Sequence, residues 1–331
     1  MDDKVIRSII EITEQRSSDS LGYCVVATLA EMLPVSAITL YRFDGTHYLQ
    51  SISLSISEDH LGRRRQTWHH EPQYYDYIEE LTISKLSNVP KLIRHSATSF
   101  HYFYPIPLDN EHFAMLYLHL CEPTEPFTML IEGFAKIYEN YLRILDESER
   151  DKLTGLYNRK TIEDKLQDDF IRYEADGRIN DLQSCWLVIL DIDHFKRVND
   201  NFGHLIGDEV LLIFSQQLKL HFTADDKIFR FGGEEFLVIL SPSTCEEAAM
   251  KINEFRKHIE SFTFPQVERI TVSCGFAKIS TKDYLPIILD NADKALYHAK
   301  NKGRNRFYCY EELLNDGTLV EDDSDSDFEL F

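Results

Sequence analysis

The stretch Arg230-Phe231-Gly232-Gly233-Glu234-Glu235-Phe236 leaves this part of the chain few ways to fold. Ile228-Phe229 stands before it and Leu237-Val238-Ile239-Leu240 follows, so two strand-like runs flank a pair of glycines. That pattern predicts a β-hairpin whose tip tolerates positive φ and close approach by another molecule. Glu234 and Glu235 stand side by side at the tip, where their like charges repel. A dication or a cationic partner would relieve that cost. Taken alone, the stretch also fits an ordinary hairpin with solvated acids.

A second acidic segment lies upstream. Cys185 to Leu190 is an unbroken apolar run, which predicts a strand buried on both faces. It ends in Asp191-Ile192-Asp193-His194-Phe195-Lys196-Arg197-Val198-Asn199. Carboxylates at the end of a buried strand are costly unless compensated, and strand ends often carry chemistry. The plain alternative is a strand followed by a helix, with Asp193 as its N-cap. Phe202-Gly203-His204 and Gly207-Asp208 come next, then an amphipathic helix through Leu218. A helix from Cys245 to Ile259 and a strand from Ile270 to Ala277 follow. A last helix carries Asp293, Lys294, Tyr297 and Lys300, and Gly303 stops it, with Arg304 and Arg306 beyond. Strand-end acids, hairpin acids, an amide–carboxylate pair and late cations form the inventory that Mg²⁺ and a nucleoside triphosphate require. The net charge of −21 argues against a general nucleic-acid or anionic-membrane surface. It does not exclude an anionic substrate, because the local field decides binding.

The first half has a different character. Val5 to Ile12 read as a helix, and a second begins near Asp19-Ser20 and stops at Pro34. Strand-like runs occupy 37–41, 48–55, 100–106 and 113–120, with turn chemistry at 108–111. Arg63-Arg64-Arg65 reads as a solvated loop, with an anion contact as the alternative, and His69, His70 and Glu71 are weak metal-ligand candidates. Ile131, Phe134, Tyr138, Tyr141 and Leu145 recur at spacings of three and four. That seam could pair with a second copy or pack on the chain's own first domain. Helices, antiparallel strands and a closing helix suggest a small α+β sensor module. The order resembles a GAF domain, with a PAS-like fold as the competing reading.

The second half resembles the GGDEF-type diguanylate cyclases across about 151–310. The motifs are Phe231 to Phe236, Asp191 to Lys196 with Asn199-Asp200, Phe202-Gly203-His204, and Ala292 to Tyr297 with Lys300 and Gly303 to Arg306. The resemblance implies a nucleotidyl-cyclase-like central sheet surrounded by helices. It assigns Mg²⁺, with Mn²⁺ as a substitute, to Asp191, the Ile192 carbonyl and Glu234. Glu235 would support that site or take the 3′-hydroxyl proton, and the letters leave open which glutamate is the base. Asn199 and Asp208 would read guanine, whose paired N1–H and amine donors adenine lacks. Lys196, Lys300 and Arg304, with the backbone N–H groups of His194 and Phe195, would hold phosphates. The implied reaction joins two GTP into cyclic di-GMP in a homodimer regulated by the first domain. A catalytically silent nucleotide-binding or scaffold domain of the same fold is the alternative. The family's inhibitory Arg-x-x-Asp pair is degenerate here: Asp226 is present but Thr223 stands in place of the arginine.

The expected division is a sensor domain over 1–146 with a linker helix at about 127–146, a GGDEF domain over 147–312, and an acidic disordered tail over 313–331. No apolar run approaches the roughly 18 residues of a membrane span and no signal peptide opens the chain. The six cysteines lack paired metal-type spacing. The expectation is therefore a reduced, cytoplasmic protein without structural zinc. Its first domain would answer an unidentified small molecule or protein.

Overall fold

A computed structural model describes residues 2–15, 18–43, 48–58, 63–69, 73–75, 78–107, 113–123, 125–175, 177–180, 182–223, 225–267, 269–280 and 284–319. The chain divides into two compact units, Met1–Ser148 and Glu149–Phe331. The turn at 108–111, His70, Glu71 and the end of the acidic tail fall outside the described residues.

In the first unit, α1 (Asp2–Thr13) and α2 (Ser18–Met32) precede β1 (Val35–Phe43) and β2 (Tyr48–Glu58). Then come β3 (Arg64–His69), β4 (Gln73–Tyr75), α3 (Glu79–Ser87), β5 (Lys91–Ser96), β6 (Ser99–Pro107), β7 (Phe113–Leu120) and α4 (Thr128–Glu149). The strands form one antiparallel sheet in the order β3-β2-β1-β7-β6-β5, with β4 also on β2. One face packs on α1, α2 and α4 through Leu21, Val25, Leu29, Ile38, Leu116, Leu118 and Tyr138. One expectation changes here, and one open alternative closes. The three arginines lead into an edge strand rather than a loop, with Arg64 and Arg65 exposed along β3. The seam of α4 is spent on the chain's own core. Ile131, Phe134, Tyr138 and Leu142 are buried there, and the Tyr141 hydroxyl donates to the carbonyls of Thr13 and Gln15 at 2.9 and 2.8 Å.

The second unit runs β8 (Tyr157–Asn158), α5 (Ile162–Ala175), β9 (Ser184–Ile192), α6 (Phe195–Phe202), α7 (His204–His221), β10 (Lys227–Gly232) and β11 (Glu235–Ser243). It continues through α8 (Cys245–Ser261), β12 (Val272–Lys278), α9 (Leu285–Asn301), β13 (Phe307–Cys309) and α10 (Tyr310–Asn315). Its sheet order is β13-β12-β9-β11-β10-β8, so β9 lies centrally between two antiparallel neighbours. That position explains its unbroken apolar run. Trp186, Val188, Leu190 and Ile192 face one core, with Phe214 and Phe255 of α7 and α8. Cys185, Leu187 and Ile189 face the other, with Ile288, Ala292 and Leu296 of α9. Among the described residues no helix is long and apolar enough to cross a membrane.

Gly275 on β12 sets how closely α9 approaches the sheet. A β-carbon there would stand 2.1 Å from the Leu296 nitrogen and 2.3 Å from the Ala292 carbonyl oxygen, both backbone atoms of α9. Neither can give way without moving the helix. Gly275→Ala is therefore expected to lower stability by about 1–3 kcal/mol in denaturant unfolding. Unchanged stability would mean that α9 is free to shift.

Candidate functional site

The odd-numbered residues of β9 and β11 form matched columns on the α9 side of the sheet. Leu187 pairs with Ile239, Ile189 with Leu237, and Asp191 with Glu235. Two apolar columns thus end in two carboxylates directly opposite each other, a like-charge arrangement that costs stability. Asp191 is 8% exposed. Lys300, in the last turn of α9, donates to its Oδ2 at 2.8 Å. Burial pushes the Asp191 carboxyl above its ordinary range. Lys300 opposes that rise, while Glu234 and Asp193 add to it. Glu235 is also raised, first by burial and then by the charge of Asp191, with Lys300 opposing and Asp293 and Glu234 adding.

Glu234 reaches this corner from the hairpin turn. Gly232 pairs with Glu235, leaving Gly233 and Glu234 as the turn's central residues, and Gly233 takes φ 49°. Arg230 braces the turn from beneath. Its Nε and Nη2 donate to the Gly233 carbonyl at 3.2 and 2.9 Å, and its Nη1 donates to Asp151 Oδ1 at 3.0 Å. Burial pushes the Asp151 carboxyl up, but donors from Thr154 and Arg230 outweigh it and hold the group below its usual range. The Ile192 N–H meets the Glu234 carbonyl at 3.4 Å, fastening the turn to the end of β9. Asp191, Ile192, Glu234, Glu235 and Lys300 are therefore neighbours, although the chain brings them from three separate segments.

Asp193 is not the helix cap. The residue at the N-cap of α6 is His194, in the left-handed region at φ 60°. The Asp193 carboxylate is buried and accepts from Thr271 Oγ1 at 2.6 Å, Ser273 Oγ at 2.7 Å and the Asn305 N–H at 3.0 Å. It ties β9 and β12 to the loop that carries Arg304, whose φ of 64° is itself left-handed. Lys196 is exposed on the first turn of α6, next to the buried Phe195. Asn199 meets α7 at Gly207, where a β-carbon would fall 2.0 Å from the Asn199 Oδ1. This glycine thus makes room for the Asn199 amide against α7, one residue before the exposed Asp208. Sequence reading missed Asp151, Arg230 and Gly207 as positioning residues, since a brace and a missing side chain show only once the segments are folded together.

Among the described residues no three His, Cys, Asp or Glu side chains converge as a metal cage. Two carboxylates and a backbone carbonyl nonetheless suit a hard dication that completes its shell with phosphate oxygens and water, as Mg²⁺ commonly does. Thr223 and Asp226 present nothing comparable. The Asp226 carboxylate accepts from the Thr223 N–H at 2.8 Å, the Thr223 hydroxyl at 2.9 Å, the Ser241 N–H at 3.0 Å and the Lys251 ammonium. It is a closed structural knot.

The profile of the family described as diguanylate cyclase, GGDEF domain, matches residues 148–306. The second unit contains a GGDEF domain. The chain is 37% identical over 182 residues to diguanylate cyclase DgcP of Pseudomonas aeruginosa, covering 53% of this chain and 26% of that one. It is 36% identical over 175 residues to the probable diguanylate cyclase DgcC of Escherichia coli, covering 52% and 46%. It is 37% identical over 182 residues to the response regulator PleD of Caulobacter vibrioides, covering 51% and 39%. The chain therefore spans less than half the length of each of these relatives.

The crowded acids of the GGDEF domain have a thermodynamic signature. A carboxyl raised on folding contributes stability below its unfolded pKa and loses it as pH rises through the folded value. Ionised Glu235 at neutral pH is thus a destabilising group, partly screened by solvent. Glu235→Gln is expected to raise Tm at pH 7 by on the order of 1–2 °C, with the gain vanishing near pH 4. Calorimetry across that range checks it, and a lower Tm at pH 7 would contradict it.

Proposed function

We propose that this chain is a diguanylate cyclase, condensing two GTP into cyclic di-GMP with release of two pyrophosphates. The observation that carries this reading is the Asp191–Glu235 pair with Glu234 and Lys300 at one sheet end. The family match and the relatives named as diguanylate cyclases support it. Mg²⁺, held by Asp191, Glu234 and the Ile192 carbonyl, would neutralise charge on the reacting phosphates and orient them. Asn199 and Asp208 read the guanine edge, and a base without that donor pair would leave their polar groups unpaired. Lys196, Lys300 and Arg304 hold the phosphates together with the backbone N–H groups of His194 and Phe195. Lys300 is then shared between Asp191 and substrate.

Glu235 takes the 3′-hydroxyl proton. It stands directly opposite Asp191 at the end of the sheet, beside the residues that would hold the metal. The freed 3′-oxygen of one GTP attacks the α-phosphorus of the other in line, and pyrophosphate leaves. Each subunit presents one GTP, so closing the ring takes two GGDEF domains facing each other in a homodimer. The first unit, with α1, α2 and α4 on one face of an antiparallel sheet and α3 on the other, is a GAF-like sensor that biases how the pair meets.

Purified chain incubated with GTP and Mg²⁺ is expected to yield cyclic di-GMP by mass spectrometry, with specific activity that rises with protein concentration. Glu234→Ala should lower the rate on the order of 10²-fold or more. GTP binding with no cyclic dinucleotide formed would favour the silent scaffold, and a fully active monomer in sedimentation would overturn the dimer.

A further inference from the structure

On the side of α6 away from Asn199, a groove of about 250 Å³ opens between that helix and Val267, Arg269, Ile270 and Thr271. His194, Arg197 and Arg269 line it, over a floor of Val198, Ile270 and Phe202. Both arginines are exposed, and Phe202 is 45% exposed. Among the described residues neither guanidinium has a hydrogen bond or an ion pair. Arg269 acts on Glu260 only through its charge, and Glu260 is already engaged, taking Arg256 at 3.0 Å and the Asn305 amide at 2.7 Å. Asp193, the acid lining the groove, is buried and accepts three hydrogen bonds. Two arginines without a hydrogen bond or ion pair among the described residues thus line one concavity in a chain with 56 acidic and 35 basic residues.

We propose that this groove is a second nucleotide-binding site, separate from the substrate face that Asn199 and Asp208 serve. Planar guanidinium forks match the oxygens of a phosphate, and two of them on one cavity favour a phosphate over a carboxylate-sized contact elsewhere. An exposed phenyl ring beside them offers a stacking platform for a base, and Val198 and Ile270 supply the apolar wall that such a base covers. The position suits an effector. The groove shares Asp193 and Thr271 with the network that holds Asn305, next to Arg304. Occupancy is therefore felt at the loop that carries a phosphate ligand of the proposed active site.

The test is calorimetric titration of the full chain carrying Glu234→Ala, first saturated with a non-hydrolysable GTP analogue and Mg²⁺. Three probes are titrated separately: cyclic di-GMP, GMP and inorganic pyrophosphate. At least one of the two nucleotides is expected to bind, and Arg197→Ala with Arg269→Ala should weaken that binding roughly tenfold or more. Phe202→Ala should weaken the nucleotide arms and leave pyrophosphate unmoved. Exposed positions make misfolding improbable, and matched melting curves check it, with the single Arg197→Gln as a gentler second variant. Equal nucleotide affinity with and without the arginines would overturn the proposal. So would the absence of nucleotide binding, or binding by pyrophosphate alone. Because the readout is binding, it is independent of whether the chain makes cyclic di-GMP.

Discussion

Everything at the candidate site depends on two carboxylates set opposite each other on neighbouring strands. Asp191 and Glu235 stand where the pairing Leu187–Ile239 and Ile189–Leu237 would continue with apolar residues. A folding chain gains nothing by ending buried columns in like charges, since each acid loses hydration and repels the other. Both carboxyls are pushed up as a result. Lys300 offsets part of the cost, and it is there because α9 lies close to β12 over Gly275. One glycine in the sheet therefore helps set Lys300 against Asp191 at the candidate site. A site whose own residues leave excess negative charge is preorganised to take a cation, and phosphate arriving with that cation completes the balance.

A second set of contacts keeps the corner rigid. Arg230 holds the turn to Asp151, so the glycines give the hairpin its shape without leaving the tip loose. Asp193 joins β9, β12 and the loop at 304–306 through a single buried carboxylate with three donors. Its neighbours in sequence have separate duties: Asp191 faces Lys300, and His194 opens α6 in a left-handed conformation. Positions 191, 193 and 194 thus serve the candidate corner, a structural tie and a helix start. A charge buried with enough donors stabilises a unique arrangement, whereas the pair at 191 and 235 remains under-compensated.

The parts legible from sequence were those governed by local pattern. The hairpin at 230–236, the buried strand at 185–190, the amphipathic helix through 218 and the helix from 245 all follow from periodicity and turn residues that act over a few positions. The acids at 191, 234 and 235 were legible because buried or crowded carboxylates stand out against apolar runs. What local pattern could not supply were the long-range ties. The donors to Asp193 come from residues 271, 273 and 305, so its role as a tie was invisible and a helix cap looked equally good. Arg64 and Arg65 concealed β3, because an exposed edge strand carries no apolar alternation to betray it. The α4 seam was legible as a stripe, but a stripe does not say what covers it, and here the first unit's own core does.

The most direct measurement is electron paramagnetic resonance of Mn²⁺ titrated into the full chain with a non-hydrolysable GTP analogue. Carboxylates at 191 and 234 that share a dication predict protein-bound Mn²⁺ whose affinity falls roughly tenfold or more on Asp191→Asn. Equal Mn²⁺ affinity in the two proteins, with the nucleotide bound in both, would contradict it.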